Sequence, residues 1–215
     1  MLQRKKTSSR SDILEAAGRA QAKGRRKRAI TEYQKLLKEN GEDYIVHGKV
    51  APLLAECRRH EEAWASFRAS GEGYLKDGFE DKAKSVYIQA TRFLPYEING
   101  WKRVVKLHID RGHRADALKT LREGRRRFSR RSHRKEAIVL LRIAWKLTPW
   151  HFDVTFDLAR LLAKSGDHDN AMRFLLGLAE RENGYNLRRV RGAILKMAPG
   201  PHTAWLWLRA SLMST

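Results

Sequence analysis

Small and apolar residues recur along this chain at the spacing of a single helix face. The clearest stretch reads Gly78, Ala83, Tyr87, Ala90, Pro95. Glycine allows the tight turn that starts a new helix. Five residues on, the methyl side chain of Ala83 lets two helices approach closely, and Tyr87 lies one turn further along the same face. Pro95 ends the helix, because proline cannot extend the hydrogen-bond ladder. No run of the sequence alternates polar and apolar residues as a half-buried strand does.

This spacing repeats. Gly24, Ala29, Tyr33 and Leu36 precede the central copy, and Ala137, Leu141, Ala144 and Pro149 follow it, each 54 residues from the next. A second set interleaves at the same period: Ala51, Leu54, Ala63 and Phe67, then Val105, His108, Ala117 and Leu121, then Ala159, Leu162, Ala171 and Leu175. Between the sets the offset alternates, 34 residues and then 20. Thirty-four is one helix–turn–helix pair and twenty about one helix with its turn, so three helices per period is the simplest geometry.

Turn signals then place helices near 10–23, 26–39, 44–57, 60–76, 79–93, 98–111, 114–129, 132–147, 151–165, 168–182, 185–197 and 201–213. The expected fold is all-α: a solenoid of about twelve antiparallel helices over 11–215, behind a basic N-terminal tail, 1–10. The last pair, about 185–213, departs from the pattern, with Leu187 and Arg191 where small and aromatic residues belong, and reads as a terminal cap. Pro52 inside the third helix leaves the Gly48 carbonyl without its usual partner. A kink there, or a helix starting near Lys49, is expected.

The pattern resembles the tetratricopeptide repeat (TPR) family, notably bacterial TPR proteins. Trp101, Val104, Val105, Gly112 and Ala117 match its first-helix and turn positions, and Ala83, Tyr87, Ala90 and Pro95 its second-helix positions. The resemblance covers roughly 11–213, most clearly about 16–180. It implies a right-handed superhelix whose concave face, lined by the first helix of each pair, holds a protein partner. Carried over residue by residue, that face includes Lys102, Lys106 and Asp110 from one pair and Phe156, Arg160 and Lys164 from the next. Lys102, Lys106, Arg160 and Lys164 are the candidate partner-binding residues, and an ordinary solvated helix face is the plainer reading of each. Family members that clamp a peptide carboxylate use asparagines missing here, but a basic groove suits an acidic segment.

Charge sharpens the picture. The net charge is +21 and is blocked, dense in 1–60 and 116–150 and thin elsewhere. Such an excess attracts nucleic acid, anionic lipid or an acidic protein face, although an arginine-rich proteome would also produce it. The clusters are Arg4-Lys5-Lys6, Arg25-Arg26-Lys27-Arg28, Arg125-Arg126-Arg127 with Arg130, Arg131, Arg134 and Lys135, and Arg188-Arg189 with Arg191. The third bridges two helices as a dense knob, a candidate for non-specific polyanion contact through guanidinium forks. Only Phe128 is interleaved with it, at an apolar packing position shared with Tyr74, so base-specific reading is not expected.

Chemistry is otherwise thin. The eight histidines are scattered, and His108 falls on a packing position. His168, between Asp167 and Asp169, reads as a solvated turn. The single cysteine, Cys57, forms no disulfide framework and fits a reducing compartment. Metal-ligand spacing, phosphate loops and nucleophile motifs are missing, so no enzyme, metal or cofactor is expected. No window reaches the roughly 18 apolar residues of a membrane span, and the N-terminus makes a poor signal peptide. The cytoplasm is the expected location. Trp101 reads as core, Trp145 and Trp150 as packing around Pro149, and one of Trp205 and Trp207 as partly exposed, since two residues apart they cannot share a face. The function expected is a non-enzymatic adaptor that binds an acidic protein segment, with polyanion contact through the arginine knob as the alternative.

Overall fold

The computed structural model describes residues 9–212, and the Arg4-Lys5-Lys6 cluster lies outside them. Among the described residues the chain is all-α and forms two compact units, divided along the sequence between Arg111 and Gly112. The first unit holds α1 (Arg10–Ala22), α2 (Arg26–Glu39), α3 (Tyr44–Glu56), α4 (His60–Lys76), α5 (Glu80–Phe93) and α6 (Ile98–Asp110). The second holds α7 (Arg114–Arg127), α8 (Arg134–Leu147), α9 (Phe152–Ser165), α10 (His168–Ala179), α11 (Gly184–Met197) and α12 (Pro201–Leu212), with a 3₁₀ turn at Arg131–His133 before α8. Twelve α-helices are thus described, as the spacing predicts.

Within each unit every helix packs on its neighbour in sequence, α3 also packs on α5, and α9 on α11. The array is antiparallel, as ties from helix starts to helix ends show. Tyr44 at the start of α3 donates to Asp77 at the end of α4 over 2.6 Å. Arg114 at the start of α7 donates to the Leu147 carbonyl that ends α8, over 3.1 Å.

The close contacts follow the alanines. Ala29, Ala63, Ala83, Ala117, Ala137 and Ala171 are each 0 % exposed, one per helix. Four residues on, Tyr33, Phe67, Tyr87, Leu121, Leu141 and Leu175 are all buried. Three further, Leu36, Ser70, Ala90, Gly124, Ala144 and Leu178 complete the stripe. Each large member contributes about 1.5–3 kcal/mol by leaving water. The approach is very tight at Gly71, where an added Cβ would lie 2.3 Å from the Tyr87 ring. Burial there pushes the Tyr87 hydroxyl above its ordinary range, and does the same to Tyr33.

Turns repeat as strictly as cores. Gly24, Gly78 and Gly166 take φ of +68°, +79° and +92°. The residue after each donates to a carbonyl five places back, Ala20, Tyr74 and Leu162 respectively, which caps the preceding helix. Arg58 occupies the same place in the α3–α4 turn at φ +61°, where a side chain strains the backbone. At the corresponding place after α7 stands Ser132. Here the left-handed turn is not formed; α7 ends at Arg127 rather than near 129, and a six-residue connection with the 3₁₀ turn replaces a three-residue one.

Pro52 does not delay α3. The helix begins at Tyr44, not near Lys49, because Asp43 caps it by accepting from the Val46 amide over 3.0 Å. Gly48 has a packing role too: a Cβ there would meet the Ser70 hydroxyl at 2.8 Å. His108 is half-buried, and Leu107 beside it takes the buried place. Trp101 is buried, and its indole donates to the Pro95 carbonyl over 3.1 Å, tying α6 to the residue that ends α5. Trp145, Trp150 and Phe174 form one aromatic cluster with centroids 5.3–6.4 Å apart.

Two stability measurements follow. Ala117→Leu forces bulk into a closed contact and lowers the unfolding free energy by about 1–3 kcal/mol in urea titration. Arg58→Gly relieves the left-handed strain and raises it by up to about 1 kcal/mol; an unchanged midpoint would refute that reading of the turn.

Candidate functional site

In the second unit, α9 and α11 lie side by side, and α12 closes the groove between them at one end. The resulting cavity has a volume of about 710 Å³. Its floor is apolar: Phe156, Ala159 and Ala163 from α9, Leu175 from α10, Ala193 and Met197 from α11. Its rim is basic, with Arg160 and Lys164 from α9 and Arg188, Arg189 and Lys196 from α11. No carboxylate lines it. Trp207 of α12 forms a wall, close enough to α11 that a Cβ on Gly192 would lie 3.2 Å from its indole nitrogen.

Arg189 is held in place. Its guanidinium lies 4.9 Å from the centroids of both Phe152 and Phe156, which are themselves stacked, and 5.6 Å from that of Tyr185. Cation–π contacts of this kind leave the guanidinium edge available to an anion while fixing its plane. Arg160 and Lys164 are exposed, with Arg160 6.0 Å from the Phe156 ring. Along α9 the charges are ordered. Asp153 and Asp157 line a second cavity, of about 460 Å³, toward α7 and α8, while Arg160 and Lys164 face the basic one.

Of the other candidates, Lys102 and Lys106 stand exposed on α6 in the first unit. Lys106 pairs with Asp110 on its own helix at 2.9 Å. The arginine knob divides in two. Arg125 grips Asp157 through two hydrogen bonds, 2.9 and 3.3 Å, joining α7 to α9. Arg134 donates to the Lys164 carbonyl in the last turn of α9. Arg126, Arg127, Arg130 and Arg131 are exposed, and no ion pair among the described residues engages them.

Residues 132–196, which span α8 to α11 and so both sides of the groove, match the model of the tetratricopeptide repeat family. That segment carries a tetratricopeptide repeat. Similar solved structures include a tetratricopeptide repeat protein from Parabacteroides merdae ATCC 43184, with 15% identity, 95% of this chain and 93% of that one covered, and a TM-score of 0.36. YrrB, described as a TPR protein with an unusual peptide-binding site, is 11% identical over 92% of this chain and 91% of its own, with a TM-score of 0.28. Pseudomonas aeruginosa pilF is 11% identical over 94% and 89%, with a TM-score of 0.33. Likeness at this level speaks to no shared function. No curated protein matches the sequence.

The family resemblance implies a partner-facing place for Arg160 and Lys164, and both line the α9–α11 cavity. It implies nothing of the residues that line it from α11. Arg188 and Arg189 were visible only as a charge cluster, and Trp207 only as half of an unusual tryptophan pair; the fold joins them. Trp205 is 54 % exposed, while Trp207 is half-buried against Gly192. Arg191 stands where the repeat has an aromatic residue and donates instead to the Leu206 carbonyl of α12, at 2.9 Å.

The division of the arginine knob is measurable. Arg125→Gln leaves the half-buried Asp157 unpaired and lowers stability by about 1–2 kcal/mol, between the values for exposed and buried pairs. Arg126→Gln changes it by no more than about 0.5 kcal/mol. Equal effects in thermal or urea unfolding would refute the distinction.

Proposed function

We propose that this protein is a non-enzymatic adaptor whose second unit holds an acidic, partly apolar segment of a protein partner in the α9–α11 groove. One observation carries the reading: five cationic side chains surround an apolar floor with no carboxylate among them. Placed that closely, like charges repel, and an anionic guest relieves the repulsion. The floor supplies what charge does not, a place for an apolar side chain of the guest. Arg189, fixed by its three rings, loses little freedom on binding, so more of the interaction appears as affinity. A tetratricopeptide fold is a protein–protein interaction scaffold, which suits this use. Among the described residues no helix is long and apolar enough to cross a membrane.

Lys102 and Lys106 on α6 belong to the same proposal as a second basic surface, to be scored by itself. Labelled peptides rich in Asp and Glu and carrying one Leu or Phe, followed by fluorescence anisotropy, test both. Arg160→Glu with Lys164→Glu weakens binding at least about tenfold, the equivalent of 1.4 kcal/mol. Lys102→Glu with Lys106→Glu reports the contribution of α6. Affinity unmoved by the α9 pair would remove the groove from consideration.

A further inference from the structure

We propose that the α7–α8 turn is a second binding site, independent of the groove, that grips the phosphodiester backbone of a nucleic acid without reading its sequence. The site consists of Arg126 and Arg127 at the end of α7 and Arg130 and Arg131 in the connection that follows.

The turn departs from the repeat at the place where its charge is densest. Elsewhere α1–α2, α3–α4 and α4–α5 are joined by three residues, and here by six. Departures of this kind from a protein's own local rules concentrate at functional sites. The longer connection is nonetheless fastened at both ends. Phe128 is 1 % exposed and meets the His133 ring edge-on, with centroids 6.0 Å apart. Arg125 before it is bound to Asp157, and Arg134 after it to the Lys164 carbonyl. Two arginines and an aromatic therefore build the base, and four arginines are held out from it. No ion pair neutralises these four among the described residues.

The chemistry favours phosphodiesters over the alternatives. Guanidinium forks bind phosphate oxygens in two-pronged fashion, and a rigid base keeps the ordering penalty small. A membrane contact would pair such charge with an apolar side chain able to enter the lipid. No large exposed apolar residue lies between Arg126 and Lys135. An acidic peptide would gain the same apolar anchor that the groove offers and this knob lacks. Aromatic side chains open to base stacking are missing as well, since Phe128 is buried, so contact through the backbone alone follows.

The test uses the full chain, a fluorescein-labelled oligouridylate, a short labelled DNA duplex, and vesicles of phosphatidylserine in phosphatidylcholine. With four phosphates contacted, the logarithm of the binding constant falls with the logarithm of salt at a slope of roughly −3 for a single strand, about fifty-fold between about 50 and about 200 mM. The variant Arg126→Gln/Arg127→Gln/Arg130→Gln/Arg131→Gln loses at least tenfold in affinity at the lower salt and has a shallower slope. The groove variant Arg160→Gln/Lys164→Gln binds the oligonucleotides as the unaltered protein does. Circular dichroism establishes that each variant folds, and the two double variants, Arg126→Gln/Arg127→Gln and Arg130→Gln/Arg131→Gln, serve if the quadruple one does not. Tighter binding to oligouridylate identifies a single-stranded RNA backbone, and tighter binding to the duplex identifies DNA. Binding to vesicles alone, a knob variant indistinguishable from the parent, or a loss confined to the groove variant would overturn the proposal.

Discussion

Two helices can close to near backbone contact only where one of them presents a side chain no larger than a methyl group. In this chain that condition is met at 29, 63, 83, 117, 137 and 171, each an alanine with no exposed surface. The remaining architecture follows from it. With the axes held close at that point, the residue one turn on must fill the widening gap, so Tyr33, Phe67, Tyr87, Leu121, Leu141 and Leu175 are large and buried. The contact is also narrow. It consumes one stripe of each of these six helices and leaves their other faces free for charge, which is how so strongly charged a chain still buries a core in each unit.

That narrowness decides what spacing could and could not reveal. A stripe of small and large apolar residues at fixed intervals names the buried face, and left-handed glycines name the turns, so helix count and boundaries were legible almost throughout. The mistakes fall where one of those devices is replaced. Ser132 removes the glycine after α7, and the chain answers with a shorter helix and a 3₁₀ turn. Pro52 leaves the start of α3 open between Tyr44 and Lys49, and Asp43, whose cap the apolar pattern does not encode, sets it at Tyr44. At 107 and 108 neighbouring positions compete for burial, and the larger apolar side chain takes it.

The groove was half legible for the same reason. On α9 the stripe through Thr155, Leu158, Ala159 and Leu162 is unambiguous, and the opposite face, Arg160 and Lys164, follows by helical geometry. On α11 the stripe is gone: Val190 is its one fully buried residue, with Leu187 in the place of the alanine and Arg191 in that of the aromatic residue. With no buried face to count from, spacing cannot say where Arg188 and Arg189 point. Only the placement of α11 against α9 brings Arg189 onto Phe152 and Phe156 and completes the basic rim.

The arginine excess also resolves into two populations, and position in the repeat separates them. Antiparallel stacking brings a helix start beside a helix end about thirty residues on, so an arginine there finds either a carboxylate or the unpaired carbonyls of a last turn. Arg26 meets Glu56, Arg111 meets Glu80, Arg114 meets the Leu147 carbonyl, and Arg134 the Lys164 carbonyl. Arg103 with Glu72, and Arg125 with Asp157, make the same connection across helices two apart. These side chains hold neighbouring helices in register, and their number alone says nothing of a partner. What remains after they are removed is the informative charge. In the second unit it gathers at two places, around the α9–α11 groove over an apolar floor and on the α7–α8 turn over none. Charge with an apolar floor suits a peptide; charge without one suits a phosphate backbone. The contrast in what lies beneath the arginines, rather than the arginines themselves, distinguishes the two proposed sites.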